Sequence, residues 1–431
     1  MHLFPVTFQY ILRAIVQTPV DKLKKVHTTD LALKNKNILL ISPQAWGKMF
    51  ITKHHYAVEL SKLGNKVYFL NPPDTENWSW KNAKKRISIR ASETYPNLFL
   101  VDHQLFFPYL LKFHARWLYD ILIKKHLAEV EQLIEQKIDI VWTFDHSNIC
   151  PLEFFKRSYR IFHPVDDSIH PHAAKAVQSA DVMFTVTREI LRKYNQFPVP
   201  KHLISHGVAE IFLDDSGVPE RKDKRVQVGL SGNWLRPDLD HPGIIRIITE
   251  NPDCVFNFFG SYLMTDTNLG GGHNAHQEFM SNLQNAANVV LHGAVPYDVL
   301  AGWLHRMDLF LICYDVQKDQ SNGTNYHKIM EYLSTGKVIV SNNISSYNNQ
   351  PDLIQMVAER ENNAQLPALF KKVISNLADY NTPELTKKRK DYASNNTYQM
   401  QLKRIEQILY PTVRKERYMI ESPVTPNALA C

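Results

Sequence analysis

Apolar residues along this chain gather into short unbroken runs, and many of the stretches between them are amphipathic at helical spacing. Short apolar runs bounded by turn signals are the pattern of strands buried on both faces. Their alternation with helices predicts βαβ units around parallel sheets. The first unit is the clearest: a strand from Asn37 to Pro43, a loop from Gln44 to Lys48, a helix from Thr52 to Leu63 stopped by Gly64, and a strand from Lys66 to Leu70. Such a unit carries a right-handed crossover. Later runs predict strands at Ile138 to Phe144, Tyr159 to His163, Asp181 to Val186, Lys201 to Ser205, Val226 to Leu230, Val255 to Gly260, Val289 to Gly293, Leu309 to Ile312 and Val338 to Val340. Residues 3 to 17 place Phe8, Ile11, Leu12, Ile15 and Val16 on one helical face, expected to pack on the body rather than lie in a membrane interface. Arg13 interrupts that run, which argues against a secretory signal. Trp78 to Arg90 is basic and turn-rich, the composition of a solvated loop or hairpin. Residues 109 to 136 predict one long helix or two, whose stripe of Leu110, Phe113, Trp117, Ile121 and Leu122 is expected to pack into the core. A last helix over residues 396 to 409 has Tyr398, Leu402, Ile405 and Ile408 on one face, and the tail past Pro411 is expected to be poorly ordered.

The strand pattern pauses in a polar, turn-rich linker from Asp214 to Arg225 and then restarts. The chain therefore divides into an amphipathic extension (1–36), a first Rossmann-like domain (37–210), a second (211–395), and a closing helix with its tail (396–431). Its 431 residues suffice for two such domains with ample core. Cys150, Cys254, Cys313 and Cys431 show no CxxC or Cys/His spacing, which argues against a zinc site and a disulfide framework and fits a reducing cytoplasm. The net charge of +7 is uneven: residues 1–210 hold 28 Lys and Arg against 19 Asp and Glu, and the remainder holds 22 against 24. A basic half suits phosphates, anionic lipid headgroups or nucleic acid. With no RNP motif, zinc finger or recognition-helix pattern, nucleic acid is disfavoured. No apolar run reaches the roughly 18 residues that a membrane span requires.

Chemistry-bearing residues collect where the predicted strands end, and loops at the carboxyl ends of parallel strands form the ligand crevice. The densest stretch is Ser321 to Ser341. Ser321 to Asn325 is turn and N-cap chemistry, Ile329, Met330 and Leu333 share a helical face, and Gly336 can close the helix as a left-handed cap. Lys328 falls in the first turn, where its ammonium and the N-terminal backbone amides could hold a diphosphate. Glu331 could accept two hydrogen bonds from a ribose diol. The same spacing also describes a solvated Lys and Glu pair on a surface helix. Gly232, in Ser231-Gly232-Asn233, would let backbone approach a phosphate, or would simply make a tight turn. Gln44 to Lys53 with His54 and His55 could line a site, although adjacent histidines point to different faces and at least one is structural. Asp166 and Asp167 follow a strand end, where two acids can share a proton or cap a helix, as Asp145 does at another such end. Gly270-Gly271-Gly272 lacks the context of a dinucleotide fingerprint.

Several of these segments resemble GT-B glycosyltransferases, in particular the bacterial family 4 or group 1 enzymes. Thr52 to Leu60 is similar to a first helix reading RPQHLAxxL, Leu291 to Tyr297 to a GxVPxxEL turn, and Asn325 to Val340 to an NPxKxxEYLAxGKPVV element. The likeness runs from about Asn37 to about Ile408. It implies two Rossmann-like domains facing each other across a cleft, with the C-terminal helix crossing back to the first. It also implies transfer of a sugar from a UDP- or GDP-sugar to a glycan or lipid-linked acceptor in cell-surface polysaccharide synthesis. No cofactor and no metal would be required, and the protein would be cytoplasmic, with possible peripheral contact to an anionic membrane. In that frame Lys328, Asn325, Gly232 and Asn233 hold the diphosphate, Glu331 the ribose, and His292 and Val295 border the base, with Lys53 and His54 on the acceptor side. Retaining members commonly carry Glu-x7-Glu, and the position eight before Glu331 is Gly323. An inverting route needs a base, for which Asp166 or Asp167 is the candidate, with Asp145 and His54 behind them. An NDP-sugar epimerase of the same fold, or an inactive nucleotide-sugar-binding protein, are the competing expectations.

Overall fold

The structure is a computed structural model that describes residues 33–74, 86–166, 172–216, 223–263, 267, 277–319 and 324–421, with side chains as far as residue 409. The chain divides into two compact units, Leu33–Gln407 and Met1–Ala32 with Ile408–Cys431. The amphipathic face expected at residues 3 to 17 lies outside the described residues.

Leu33–Gln407 is built on two sheets. The first runs β3-β4-β2-β1-β5-β6-β7-β8, with β1 Asn37–Ile41, β2 Lys66–Leu70, β3 Arg86–Ala91, β4 Leu98–Gln104, β5 Ile140–Thr143, β6 Tyr159–Phe162, β7 Val182–Thr185 and β8 Lys201–Leu203. The second runs β11-β10-β9-β12-β13-β14, with β9 Val226–Ser231, β10 Cys254–Phe259, β11 Val289–Gly293, β12 Leu309–Ile312, β13 Val338–Ser341 and β14 Ile354–Met356. In each, the order reverses beside the first strand in sequence, β1 in one and β9 in the other. This is the doubly wound arrangement, in which a crevice opens at the carboxyl ends of the strands flanking the reversal. All pairings are parallel except β3 with β4. Ile38, Leu39 and Leu40 of β1 and all of β12 are buried, as continuous apolar runs in two-sided sheets require. No helix among the described residues is long and apolar enough to cross a membrane.

Helix α1 (Thr52–Lys62) follows β1, and α2 (Leu111–His114) and α3 (Arg116–Ile134) follow β4. Helix α4 (Lys328–Ser334) leads into β13 through Gly336, which adopts φ 78° as the sequence predicts for a left-handed cap. Helix α5 (Pro383–Ser394) precedes α6 (Tyr398–Glu421). The start of α6 returns to the first sheet: Tyr398 N–H donates to the Val208 carbonyl at 3.1 Å, and its ring stacks on His55 of α1 at 4.8 Å.

Three expectations are corrected. β4 was not expected as a strand, and Arg86–Ala91 pairs with it antiparallel at the sheet edge. Its Arg86-Ile87-Ser88-Ile89-Arg90 alternation lacks the continuous apolar run of the other strands. Residues 109 to 136 form two helices, one of the two arrangements expected, broken at Ala115, whose φ of −144° is not helical. The stripe of Leu110, Phe113, Trp117 and Ile121 is exposed, and α3 buries Tyr119, Ile123, Leu127, Val130 and Ile134 instead. Finally, α6 continues past Pro411 to Glu421.

Candidate active site

A cavity of about 440 Å³, in the size range of small-molecule sites, opens where the carboxyl ends of both sheets converge. From the first sheet it is lined by Gln44 and Met49 to Lys53 after β1, Val165 and Asp166 after β6, and His206 after β8. From the second come Ser231 to Asn233 and Arg236 to Asp238 after β9, Gly260 after β10, Val295 after β11, Tyr314 after β12, and Asn325 to Lys328 with Glu331 at α4.

Two cations sit on the second-sheet side. The Lys328 ammonium donates to the Ser231 carbonyl and, at 2.9 Å, to the Tyr314 hydroxyl, and lies 5.1 Å from the centre of that ring. The Arg236 guanidinium lies 5.6 Å from the same ring. Arg236 is held by Asp238 (Nε to Oδ1, 2.8 Å) and lies 3.7 Å from Asp319. Asp319 in turn accepts from the Tyr326 hydroxyl at 2.6 Å, and Tyr326 stacks on Tyr314 at 4.6 Å. Both cations are therefore fixed in place before any ligand arrives, the condition for electrostatic stabilisation without reorganisation.

Two glycines keep the floor open. A Cβ at Gly232 would come within 2.9 Å of the Lys328 ammonium. One at Gly260, whose φ is 124°, would fall 1.6 Å from the Gly232 carbonyl oxygen. Backbone thus approaches the cavity where side chains elsewhere would fill it. Asn325 is buried, and its Oδ1 finds no hydrogen-bond partner among the described residues. A buried acceptor left unpaired is costly, and a donor on a ligand would satisfy it. Glu331 is buried. Burial raises its pKa to about 7, against the opposing pull of Lys328.

The first-sheet wall carries Lys53, whose ammonium donates to the Gln44 side-chain carbonyl. Burial lowers the Lys53 pKa to about 8, against the raising influence of Asp166 and Asp145. His206 shares a hydrogen bond of 2.9 Å with the Thr52 hydroxyl, and burial lowers its pKa to about 4. Burial also holds His327 well below the ordinary imidazole value, so the histidines between the two walls are neutral near pH 7.

Of the residues singled out in the sequence, Lys53, Asp166, Gly232, Asn233, Val295, Asn325, Lys328 and Glu331 meet at this cavity. His54 and His292 do not. Both His54 ring nitrogens are engaged, with the Ile51 amide (3.2 Å) and the Ala45 carbonyl (3.0 Å), so it shapes the loop rather than facing an acceptor. His292 is bonded to Asn257 at 3.0 Å and stacked on Phe259 at 4.3 Å. Asp145 accepts from Ser147 and Ile149 and closes its own turn. Asp167 and Gly323 lie outside the described residues. Sequence reasoning missed Arg236 and Tyr314. Both follow strands that were correctly foreseen, but loop residues carry no periodicity to say which of them turn inward. The available signal was a cation four residues beyond Gly232.

No family model matches the chain, and no curated protein matches it. Solved structures do. Sucrose-phosphate synthase from Thermosynechococcus elongatus superimposes with a TM-score of 0.64 at 10% identity, over 88% of this chain and 100% of that one. Anabaena HepE in complex with UDP and glucose gives 0.59 at 14%, over 87% and 99%. A glycosyltransferase from Rickettsia africae gives 0.54 at 14%, over 88% and 99%. Near-complete overlap at so low an identity, together with two doubly wound sheets meeting at one cleft, shows that the chain has the GT-B fold of these glycosyltransferases.

Proposed function

We propose that the protein is a glycosyltransferase that moves a sugar from a nucleoside-diphosphate sugar to a glycan or lipid-linked acceptor in cell-surface polysaccharide synthesis, in the cytoplasm and in peripheral contact with an anionic membrane. The observation that carries this reading is the prearranged pair of Lys328 and Arg236 beside the side-chain-free backbone of Gly232 and Gly260. Such a set matches a diphosphate, whose charge grows as it leaves. Glu331 would accept from the ribose, Asn325 from a donor group of the nucleotide sugar, and Val295 would border the base. The acceptor would enter along Lys53 and Asp166. Its hydroxyl oxygen forms a bond to the anomeric carbon as the bond from that carbon to the diphosphate breaks, and Asp166 takes the hydroxyl proton. The two fixed cations supply the countercharge in this scheme, which calls for no metal. HepE, with UDP and glucose bound, is the comparison in keeping with such a donor.

A thermal-shift panel of UDP, GDP and TDP with their sugars is the direct test, since ligands stabilise the folded state by mass action. At least one should raise Tm, and Lys328→Ala should abolish the rise. A panel that leaves Tm unmoved sinks the donor assignment. Asp166→Asn should lower kcat by roughly 10²-fold or more, the usual size of a lost general base, with the nucleotide shift retained. Unchanged turnover would remove Asp166 from the mechanism.

A further inference from the structure

The stripe that periodicity assigned to the core is instead a concentrated run of exposed apolar surface. Leu110, Phe113, Trp117 and Ile121 are 63%, 54%, 70% and 60% exposed: Leu110 precedes α2, Phe113 lies in it, and Trp117 and Ile121 are one turn apart on α3. A single exposed leucine needs no explanation, but four large side chains along one ridge do. Misfolding of the helix is not the reason, because its opposite face is fully seated through Tyr119, Ile123 and Leu127.

What borders the ridge identifies what would cover it. Lys124 and Lys125 continue the outward face, are exposed, and make no ion pair among the described residues. Asp120, the acid within this half of α3, is already bound by Arg116 at 2.7 Å and Lys175 at 3.7 Å. The uncompensated charge beside the ridge is therefore positive. Tryptophan and aliphatic chains enter the boundary between headgroups and acyl chains, while lysines reach the phosphates. The ridge belongs to the first-sheet half, since α2 and α3 follow β4, and loops of that sheet supply Lys53 and Asp166 to the cavity.

We infer that the α2–α3 ridge is the surface by which the protein docks on an anionic lipid bilayer. This deepens the proposed function, on which it rests only for its consequence that a lipid-borne acceptor reaches the cavity from the Lys53 and Asp166 side.

The test is cosedimentation of the full-length protein with phosphatidylcholine vesicles, with and without phosphatidylglycerol, alongside the UDP, GDP and TDP thermal-shift panel. Wild type should bind the anionic vesicles and release as salt rises. Lys124→Gln/Lys125→Gln should weaken partitioning about thirtyfold, and Trp117→Ser/Ile121→Ser by about tenfold or more. Both pairs are exposed, and both double variants should keep the wild-type nucleotide shift. Wild type that ignores anionic vesicles, variants that bind them as wild type does, or variants that instead dissociate a dimer seen by size exclusion would each overturn the inference. Loss of vesicle binding in the variants when wild type shows no nucleotide shift would uphold docking and reject the donor assignment instead.

Discussion

Glu331 shows at the scale of one residue how burying a carboxylate at a site costs stability. Burial raises its carboxyl from 4.5 to about 7, so the folded protein holds that proton more tightly than the unfolded chain does. The stability this contributes is full below about pH 4.5 and is lost as pH rises through 7. Above pH 7 the buried carboxylate is ionised, at a cost of roughly 3 kcal/mol at 1.36 kcal/mol per unit. Glu331→Gln should therefore unfold at higher urea than wild type at pH 8, with the two midpoints converging at pH 5, while nucleotide affinity falls. A wild type equally stable or more stable than Glu331→Gln at pH 8 would show that burying the ionised carboxylate carries no such cost. Lys328 and Glu331 were legible because the helix start and Gly336 fix their turn. Arg236 was not, because nothing in a loop's sequence fixes which residue faces inward.

At the scale of elements, Gly207 joins the two ends of the compact unit. A Cβ there would lie 2.8 to 2.9 Å from the Tyr398 ring and amide, so α6 can dock on the end of the first sheet because residue 207 has no side chain. Gly207→Ala should cost about 1–3 kcal/mol in chemical denaturation, the range for overpacking. A cost near zero would mean that α6 shifts freely. The helices after β4 carry the opposite lesson. Their apolar spacing was read correctly as helical, but α3 has two apolar faces, and spacing alone does not say which one the sheet covers. β4 itself was overlooked although its Leu98 to Val101 run is as long as the Leu309 to Ile312 run of β12.

Within Leu33–Gln407, side chains of the two halves meet at the cavity wall and beside it. Arg360 bonds both carboxylate oxygens of Glu189 at 3.2 and 2.8 Å, and Phe50 stacks on Tyr297 at 4.6 Å beside a hydrogen bond of 3.0 Å between the Tyr95 and Tyr297 hydroxyls. About a third of each Arg360 and Glu189 side chain is exposed, so solvent screens the pair. A double-mutant cycle of Glu189→Gln and Arg360→Gln should return a coupling below about 1 kcal/mol that shrinks further with salt. A larger, salt-insensitive coupling would mark the contact as a fixed strut between the halves. The sequence by itself determined that there are two α/β halves, where most strands run, and that chemistry gathers at their carboxyl ends, because period and turn residues act over neighbouring positions. Only the tertiary structure decided that Arg236 and Tyr314 join Lys328, that His54 and His292 turn away, and that the Trp117 ridge faces outward. Those outcomes depend on which surfaces meet across hundreds of residues, and local spacing holds no record of them.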